Sequence, residues 1–504
     1  MIIGQKFNPK DRNNNGTTKD NNTEWSSYGF SRDLSRIVFS KTFRRLGGKT
    51  QVFPVEMNEH AMNRMTHTLV VNNIAMDIAT RLNNSSDYQI NIDLIQAIAN
   101  GHDVGHTPFG HAGERRLDFV CSNKNYKMTS LCKFKHNAFS VDILQNLDRI
   151  NDLQRGYDLT WQAIDGILKH TELPQLGDET YNSILNNKLL LSDRFLKGIK
   201  AIDSTCVSYT DYKFPLTLEG QIVKAADEIA QNYHDMLDWS RIISHKKFVE
   251  CIKAIRLSDI IKKNMITKRP YVSKFISLFF ETNGELKENK INDRYNRDYF
   301  AWGIKELMVN DIVLAIQKRV NEKALIFFDE DDKSRYIVKN ILFELNNETG
   351  KNKVKIHFYD ESVKMVSENI TKFGNELISS NDIKQYDTAG NSFIDSAFNF
   401  LENNRDDFIY HCKGTILTTF LGNELKIKDG DEEHLFRTYE EIKNNIDYIS
   451  GALFDCVKTK KRVEFFNIDN KDKTSNIFYS SIIKCLARMT DRFIKDLPNK
   501  NWNT

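Results

Sequence analysis

Histidines are concentrated in one part of this 504-residue chain. Five of its twelve lie within a window of 70 residues: His67, His102, His106, His111 and His136. The stretch GHDVGHTPFGHAGE holds three of them, together with Asp103 and Glu114. Imidazole nitrogens and carboxylate oxygens form a donor set for Zn, Mn, Fe or Mg. Because burying such groups unpaired in an apolar core is costly, the pattern predicts a metal ion or an anionic substrate here.

Two residues outside this stretch extend the candidate set of metal ligands. His67 begins a long helical pattern just after Arg64, in NRMTHTLVV. Asp227 lies in KAADEIAQ, where helical periodicity surrounds it with alanine and isoleucine. A carboxylate in such surroundings is largely buried, so it needs a cation.

Helical periodicity dominates the segments that must position these groups. The patterns are SRDLSRIVFSKTFRRL, THTLVVNNIAMDIATRL, DLIQAIANGHD, NAFSVDILQNL, LTWQAIDGILKH and LEGQIVKAADEIAQNYHDMLDW. Only seven prolines interrupt the chain, which favours long helices. KVKIHFYD and RVEFFNI are candidate strands. We therefore predict a mainly α fold with a helical extension toward the C-terminus and at most a small β element.

Composition excludes several classes of function. With 71 basic and 68 acidic residues, the net charge of +3 argues against a purely electrostatic nucleic-acid binder. Seven scattered cysteines without a CxxC pair indicate reduced thiols, not a disulfide scaffold or a zinc ribbon. The sequence shows no signal-peptide h-region and no apolar run near the roughly 18 residues of a membrane span. We predict a cytoplasmic protein without a membrane partner.

The order His67, His102-Asp103, Asp227 resembles the H…HD…D signature of the HD superfamily of metal-dependent phosphohydrolases. Longer blocks are similar to the deoxynucleoside triphosphate triphosphohydrolases of the bacterial dGTPase type. They are SRDLSRIVFSKTFRRLGGKTQVFP, NRMTHTLVV, HDVGHTPFGHAGE, KHNAFSVDIL, DLTWQAIDGILKHT, KFPLTLEGQIVKAADEIA and DYISG. The bare H…HD…D pattern is moderately specific, whereas FRRLxxKTQVF together with HDxGHxPFGHxGE is highly specific.

This resemblance implies a division of the chain and a reaction. An HD core over 60–240 would follow an N-terminal arm over 1–59 that packs on it. A helical region over 241–504 would serve oligomerisation and substrate or regulatory contacts. The implied reaction is hydrolysis of a dNTP, with dGTP preferred, at the α-phosphorus to give deoxynucleoside and inorganic triphosphate. The implied partners are further copies of the chain, with a hexamer favoured, and a single-stranded DNA or nucleotide effector.

The resemblance also implies a role for each site residue. The metal ligands would be His67, His102, Asp103 and Asp227, holding one divalent ion: Mn, Mg, Fe or Zn. The catalytic group would be His111 paired with Glu114, together with His106, which also faces the triphosphate. The substrate contacts would be Arg64 and His136 at the phosphates, Gln51 and Asp235 at the sugar, and Lys169, which matches a family position.

Two departures from the family leave specificity open. Gln231 stands where the family commonly has a tyrosine that packs against the sugar. The family text DYISGMTD corresponds to DYISGALFD, with its acidic residue displaced to Asp455. Two alternative functions remain: an HD phosphodiesterase or nucleotidase acting on another nucleotide, and a non-catalytic HD module that senses dNTPs or single-stranded DNA.

Overall fold

The structure is a computed structural model, and it describes most of the chain. The described residues are 3–8, 11–12, 29–51, 62–122, 134–148, 156–173, 178–185, 187, 189–255, 257, 275, 277–281, 283–291, 293–328, 335–346, 353–379, 381–424, 445–459 and 471–499.

Helices account for 72% of the structure, which confirms the mainly α prediction. Up to residue 254 the α-helices are α1 Ser31–Val38, α2 Lys41–Arg45, α3 Arg64–Asn83, α4 Ile92–Gly101, α5 Gly110–Ser122, α6 His136–Asp142, α7 Trp161–Lys169, α8 Asp178–Leu185, α9 Asp193–Ile202, α10 Leu218–Ile242 and α11 His245–Ala254. Beyond it they are α12 Arg294–Arg319, α13 Glu361–Ile378, α14 Asn381–Asn403, α15 Arg405–Glu424, α16 Ile446–Thr459, α17 Lys471–Ala487 and α18 Asp491–Asp496. No helix within the described ranges is long and apolar enough to cross a membrane.

The small β element is present as two antiparallel hairpins. Strands β1 (Leu325–Phe327) and β2 (Tyr336–Val338) form the first hairpin, in which Leu325 lies opposite Val338. Strands β3 (Phe343–Asn346) and β4 (Lys353–Ile356) form the second. The KVKIHFYD prediction is therefore confirmed at β4, whereas RVEFFNI lies outside the described residues.

The helices that reach the histidine-rich region begin at well-formed N-caps. The side chain of Asn63 accepts a hydrogen bond from Thr66 N at the start of α3, and Asn91 caps α4 in the same way. Thr217 caps α10 by accepting from Gly220 N. Such caps satisfy backbone N–H groups that lack helical partners, and they fix where each helix starts. Helix α10 then packs against α3, α4, α7, α12 and α13.

Two hydrophobic cores are present in the described part of the chain. The first combines the N-terminal segment, α1, α3, α4, α7 and α10 with α12, both hairpins and α13. The second combines α5 and α6 with α14, α15, α16, α17 and α18. Helix α5 also forms ion pairs to α14 through Arg115–Asp387 and Arg116–Asp395. The cores therefore do not divide at residue 240, because elements from both sides of that position share each of them.

Candidate active site

Helices α3, α4 and α10 bring one His–His–Asp group together. His67 lies in the first turn of α3, His102 directly follows α4, and Asp227 lies within α10. The Nε2 atoms of His67 and His102 lie 3.0 and 3.8 Å from Asp227 Oδ1. Their potential ligand atoms all lie within 4.8 Å of one another, as a shared cation requires.

Asp103 lies next to this group and is buried. Its Oδ2 accepts a hydrogen bond from Arg64 Nη1 at 2.9 Å, and its Oδ1 lies 3.5 Å from His102 Nε2. Burial alone would raise the pKa of Asp103, but His102, His106 and Arg64 together hold it well below its usual range. The group is therefore a fixed negative charge at the centre of the histidine cluster.

The tautomer of His102 supports a metal-binding role. Its Nδ1–H donates to the Ala99 carbonyl at 2.6 Å, so Nε2 carries a lone pair that points into the cluster. That buried Nε2 has no hydrogen-bond partner among the described residues. A histidine whose second nitrogen is held by a backbone carbonyl is typical of metal ligands. The donor set fits a divalent cation, and its mixture of nitrogen and oxygen suits Mn, Fe, Zn or Mg.

Three further histidines also lie near the Oδ1 atom of Asp103. The Nε2 atoms of His106, His136 and His170 lie 3.6, 3.9 and 4.0 Å from Asp103 Oδ1. Burial lowers the pKa of His106 well below its usual range and that of His170 to about 3, so both rings are uncharged at neutral pH. Asp103, His106 and His136 are close enough to hold a cation themselves.

His111 and Glu114 form a pair at the start of α5. His111 Nδ1 lies 3.3 Å from Glu114 Oε2, while Glu114 Oε1 accepts from the backbone N of His136 at 3.0 Å. Burial would raise the pKa of Glu114, but His136 and the hydrogen bond from His111 lower it strongly. Although 59% of the His111 side chain is open, surrounding protein and Arg64 lower its pKa, against the opposing effect of Glu114. The pair combines an ionised carboxylate with a neutral, reachable imidazole.

A left-handed turn places His106 and His111 on the same side of the loop. Phe109 and Gly110 have φ angles of 59° and 56°. For a non-glycine residue this conformation costs roughly 1–2 kcal/mol, so other contacts must hold it. The turn brings the rings of His106 and His111 to 5.3 Å, and His106 stacks on His136 at 3.9 Å.

The two residues assigned to the sugar are linked through Gln231. Gln51 Nε2 lies 3.5 Å from Gln231 Oε1, and Gln231 Nε2 donates to Asp235 Oδ1 at 2.8 Å. Burial raises the pKa of Asp235 to about 7. Gln231, which replaces the family tyrosine, therefore lies between the two predicted sugar contacts.

Lys169 contacts Asp165 and Tyr209 in the protein interior. Its buried Nζ is 3.0 Å from Asp165 Oδ1 and 3.9 Å from the centre of the Tyr209 ring. Since Asp165 also accepts from Tyr209 OH and Leu216 N, this is a buried structural network. The assignment of Lys169 to the substrate contacts finds no support in this geometry, whereas the next residue, His170, faces the cluster.

Sequence reasoning missed three residues near the site. His170 follows Lys169 directly in GILKHT, and that adjacency was the available signal for it. His234 contacts the group formed by His67, His102 and Asp227, here called the metal-type group: its Nδ1 lies 3.2 Å from His67 Nδ1.

Asp491 forms hydrogen bonds with Thr50 and Phe109, although the family pattern pointed to Asp455. Asp455 instead pairs with Arg405 at the surface. The MTD triplet at 489–491 was the available signal for Asp491.

Comparison of the sequence with known proteins identifies similarity in the segment that carries the histidine cluster. Residues 64–232 match the family model described as the HD domain. A deoxyguanosinetriphosphate triphosphohydrolase-like protein of Rickettsia bellii (strain RML369-C) is 39% identical over 214 residues, which cover 42% of this chain and 46% of the relative.

Two further relatives carry the same description. The protein of Rickettsia canadensis (strain McKiel) is 44% identical over 209 residues, covering 42% of this chain and 47% of the relative. That of Rickettsia rickettsii (strain Iowa) is 37% identical over 209 residues, covering 42% and 46%. The chain thus spans about half the length of the curated relatives that it matches.

Proposed function

Because the chain is an HD-superfamily protein related to deoxyguanosinetriphosphate triphosphohydrolase-like proteins, we propose that it hydrolyses deoxynucleoside triphosphates, with dGTP preferred. The products are the deoxynucleoside and inorganic triphosphate. The observation that best supports this proposal is that Asp103 lies between two groups of side chains. On one side is the metal-type group of His67, His102 and Asp227. On the other side is His136, which lies near Asp103 and donates its backbone N–H to Glu114, the partner of His111.

Four residues hold the divalent cation in this proposal: His67, His102, Asp103 and Asp227. The free Nε2 of His102 and the low pKa of Asp103 support the assignment, since metal ligands must be deprotonated. Mn, Mg, Fe and Zn are all compatible with the set. When bound, such a cation polarises a phosphoryl oxygen and activates water.

The triphosphate lies against Arg64 and the three histidines that face Asp103. A triphosphate carries about four negative charges, so a fixed guanidinium and several imidazoles suit it. Arg64 is oriented by hydrogen bonds to Asp103 Oδ2 and to the carbonyls of Thr50 and Gln51. These bonds keep its plane in place before substrate arrives, which lowers the reorganisation cost in the transition state.

His111 accepts a proton from the attacking water. Its lowered pKa keeps the imidazole neutral at pH 7, as a general base requires. Glu114 fixes the Nδ1–H tautomer, so the proton is received at Nε2. Attack at the α-phosphorus then breaks the bond to the 5′ oxygen, which takes up a proton from solvent to give the free deoxynucleoside, and the triphosphate is left intact.

Gln51, Gln231 and Asp235 contact the deoxyribose. Their chain of amide and carboxyl groups offers donors and acceptors within one hydrogen-bonded series. Assembly into a homo-oligomer with a hexamer favoured, a single-stranded DNA or nucleotide effector, and a cytoplasmic location remain predictions from the family resemblance.

Product analysis tests the reaction. The protein is incubated with each of the four dNTPs and with GTP, in Mn²⁺ or Mg²⁺ and in water enriched in ¹⁸O. We expect free deoxynucleoside and inorganic triphosphate, dGTP as the fastest substrate, and the ¹⁸O in the triphosphate. The Asp103→Asn variant, purified in the same way, controls for contaminating phosphatases.

The same experiment separates the alternatives. Nucleoside mono- or diphosphates as products would contradict the proposal and favour an HD phosphodiesterase or nucleotidase. Binding of dNTPs without turnover, even in mixtures of all four, would favour a sensing module.

A further inference from the structure

Asp491 joins two segments of the proposed site that are far from it in sequence. Its Oδ1 accepts from Phe109 N at 3.0 Å, across 382 positions of the chain. Its Oδ2 accepts from Thr50 N at 3.1 Å and from Thr50 Oγ1 at 2.6 Å. Asp491 is buried at the start of α18. One carboxylate thus holds the backbone next to Gln51 and the backbone between His106 and His111.

The Phe109 bond acts on the left-handed turn of the loop. Asp491 accepts from the amide of a residue whose φ is 59°. The Phe109 ring is 2% exposed and stacks on Phe393 of α14 at 5.9 Å, with Tyr386 at 6.2 Å. A Cβ added at Gly390 would lie 3.0 Å from Phe109 Cβ, so α14 approaches the turn closely. The strained residue is therefore held on its backbone and on its ring by the region beyond residue 380.

Lys49 provides a second connection to the same loop. Its buried Nζ donates to the His106 carbonyl and, at 3.1 Å, to the Ala487 carbonyl at the end of α17. Ala487 lies four positions before Asp491. Lys49 therefore links the end of α17 to the loop before Thr107, and Asp491 at the start of α18 bonds to the loop after Thr107.

We propose that Asp491 is a positioning residue for the GHTPFGH loop. The second hydrophobic core, which includes the helix that carries Asp491, is thereby required for the geometry of the active site. The proposal rests on the function proposed above. The carboxylate keeps Phe109 in its left-handed conformation and fixes His106, His111 and Gln51 relative to one another. Asp491 itself touches neither the substrate nor the metal-type residues.

The variant Asp491→Asn tests this role, because it preserves the shape and removes the charged acceptor. We expect kcat for dGTP to fall about 10- to 100-fold, since small displacements of reacting groups have effects of this size. The affinity for Mn²⁺, measured by titration calorimetry, should stay within twofold, because Asp491 bonds to Thr50 and Phe109, whereas three of the four proposed ligands are positioned by α3, α4 and α10. Hydrogen exchange of the 105–115 segment should become faster.

Two further variants complete the test. Asp395→Asn removes the ion pair from α14 to Arg116 but leaves the loop contacts, so it should match the parent protein in kcat and in exchange of 105–115. Thr50→Val removes the 2.6 Å hydrogen bond to Asp491 with little change in volume. It should lower kcat a few-fold, and it provides the test if Asp491→Asn does not fold.

Three outcomes would overturn the proposal: parental kcat and exchange in Asp491→Asn, an equal loss in Asp395→Asn, or a parallel loss of Mn²⁺ affinity. If the parent protein hydrolyses no dNTP, the proposed function fails, but the exchange comparison still decides whether Asp491 holds the loop.

Discussion

The two halves of the proposed site are held in different ways. His67, His102 and Asp227 are placed by three capped helices that share the first hydrophobic core. His106 and His111 lie on either side of a left-handed turn, which contacts residues near 390 and 490 through the Phe109 ring and the Phe109 backbone N–H. A helix satisfies its own interior backbone groups, whereas a loop needs partners from elsewhere. The first half is therefore expected to tolerate changes in the C-terminal region, and the second half is not.

The largest effect on turnover should come from substitution of Asp103, which lies next to both the metal-type group and the histidines of the loop. In Asp103→Asn, we expect turnover to fall beyond about 10⁴-fold and Mn²⁺ affinity to fall with it, because the fixed negative charge of the cluster is lost. Asp77→Asn is the matched control, since Asp77 is an aspartate of α3 that pairs with Arg81 of the same helix. Turnover within tenfold of the parent protein would show that the two halves do not meet at Asp103.

His111→Gln should lower turnover without weakening metal binding, and so distinguish the two halves of the site. Loss of a general base costs about 10³-fold in kcat, while Mn²⁺ affinity should remain within twofold, since His111 is not a proposed metal ligand. Steady-state kinetics and calorimetry on the same sample measure both. A variant that lost the metal as well would mean that the loop also supports the metal-type group.

The pH dependence of the parent protein reports on the same residue. Surrounding protein and Arg64 lower the pKa of His111, so a base role predicts a kcat/KM that is flat above pH 7. It should fall as the pH drops below 6.5 and His111 becomes protonated. The profile is measured with Mn²⁺ saturation verified at each pH. A rate that rises toward acid would instead indicate that His111 donates a proton to the leaving oxygen.

Gly110→Ala should disturb the loop that carries His106 and His111, with a smaller loss of kcat than His111→Gln. The residue has a φ of 56°, and an added Cβ would lie 3.1 Å from the Gln51 carbonyl. We expect a loss of about 1–2 kcal/mol in unfolding free energy and about tenfold in kcat. Gly414→Ala in α15 is the control, because its Cβ would meet nothing within 4 Å. There alanine should leave kcat unchanged and stabilise the helix by about 0.5–1 kcal/mol.

The last prediction concerns stability at Asp235, where no loss of turnover is predicted. Burial raises its pKa from 3.8 to about 7. A raised carboxyl pKa means that the stability is fully present below pH 3.8 and is lost as the pH rises through 7. Asp235→Asn removes this loss, so its advantage in unfolding free energy should grow between pH 5 and pH 8, by on the order of 2 kcal/mol.

Denaturant unfolding at several pH values measures this difference. An advantage of Asp235→Asn that did not change with pH would mean that the carboxyl is not titrating near neutrality in the folded protein.

Local sequence patterns predicted much of the fold and part of the site. Helical periodicity identified α3, α4, α7 and α10, and residue types singled out His67, His102, Asp103 and Asp227, which the structure brings together. Neighbouring residues on a helix point about 100° apart, so Lys169 meets Asp165 whereas the next residue, His170, lies near Asp103.

The sequence by itself determined that the chain is mainly helical, that a histidine- and carboxylate-rich group must be satisfied by a cation or an anion, and that this group resembles an HD centre. Those properties depend on residue type and on spacings of a few positions. Only the tertiary structure decided that His170 joins the group, and that Asp491 bonds to Thr50 and Phe109 while Asp455 pairs with Arg405. The reason is physical: which residues Asp491 meets hundreds of positions away is set by how two hydrophobic cores pack together, and no pattern of a few neighbouring residues records that packing.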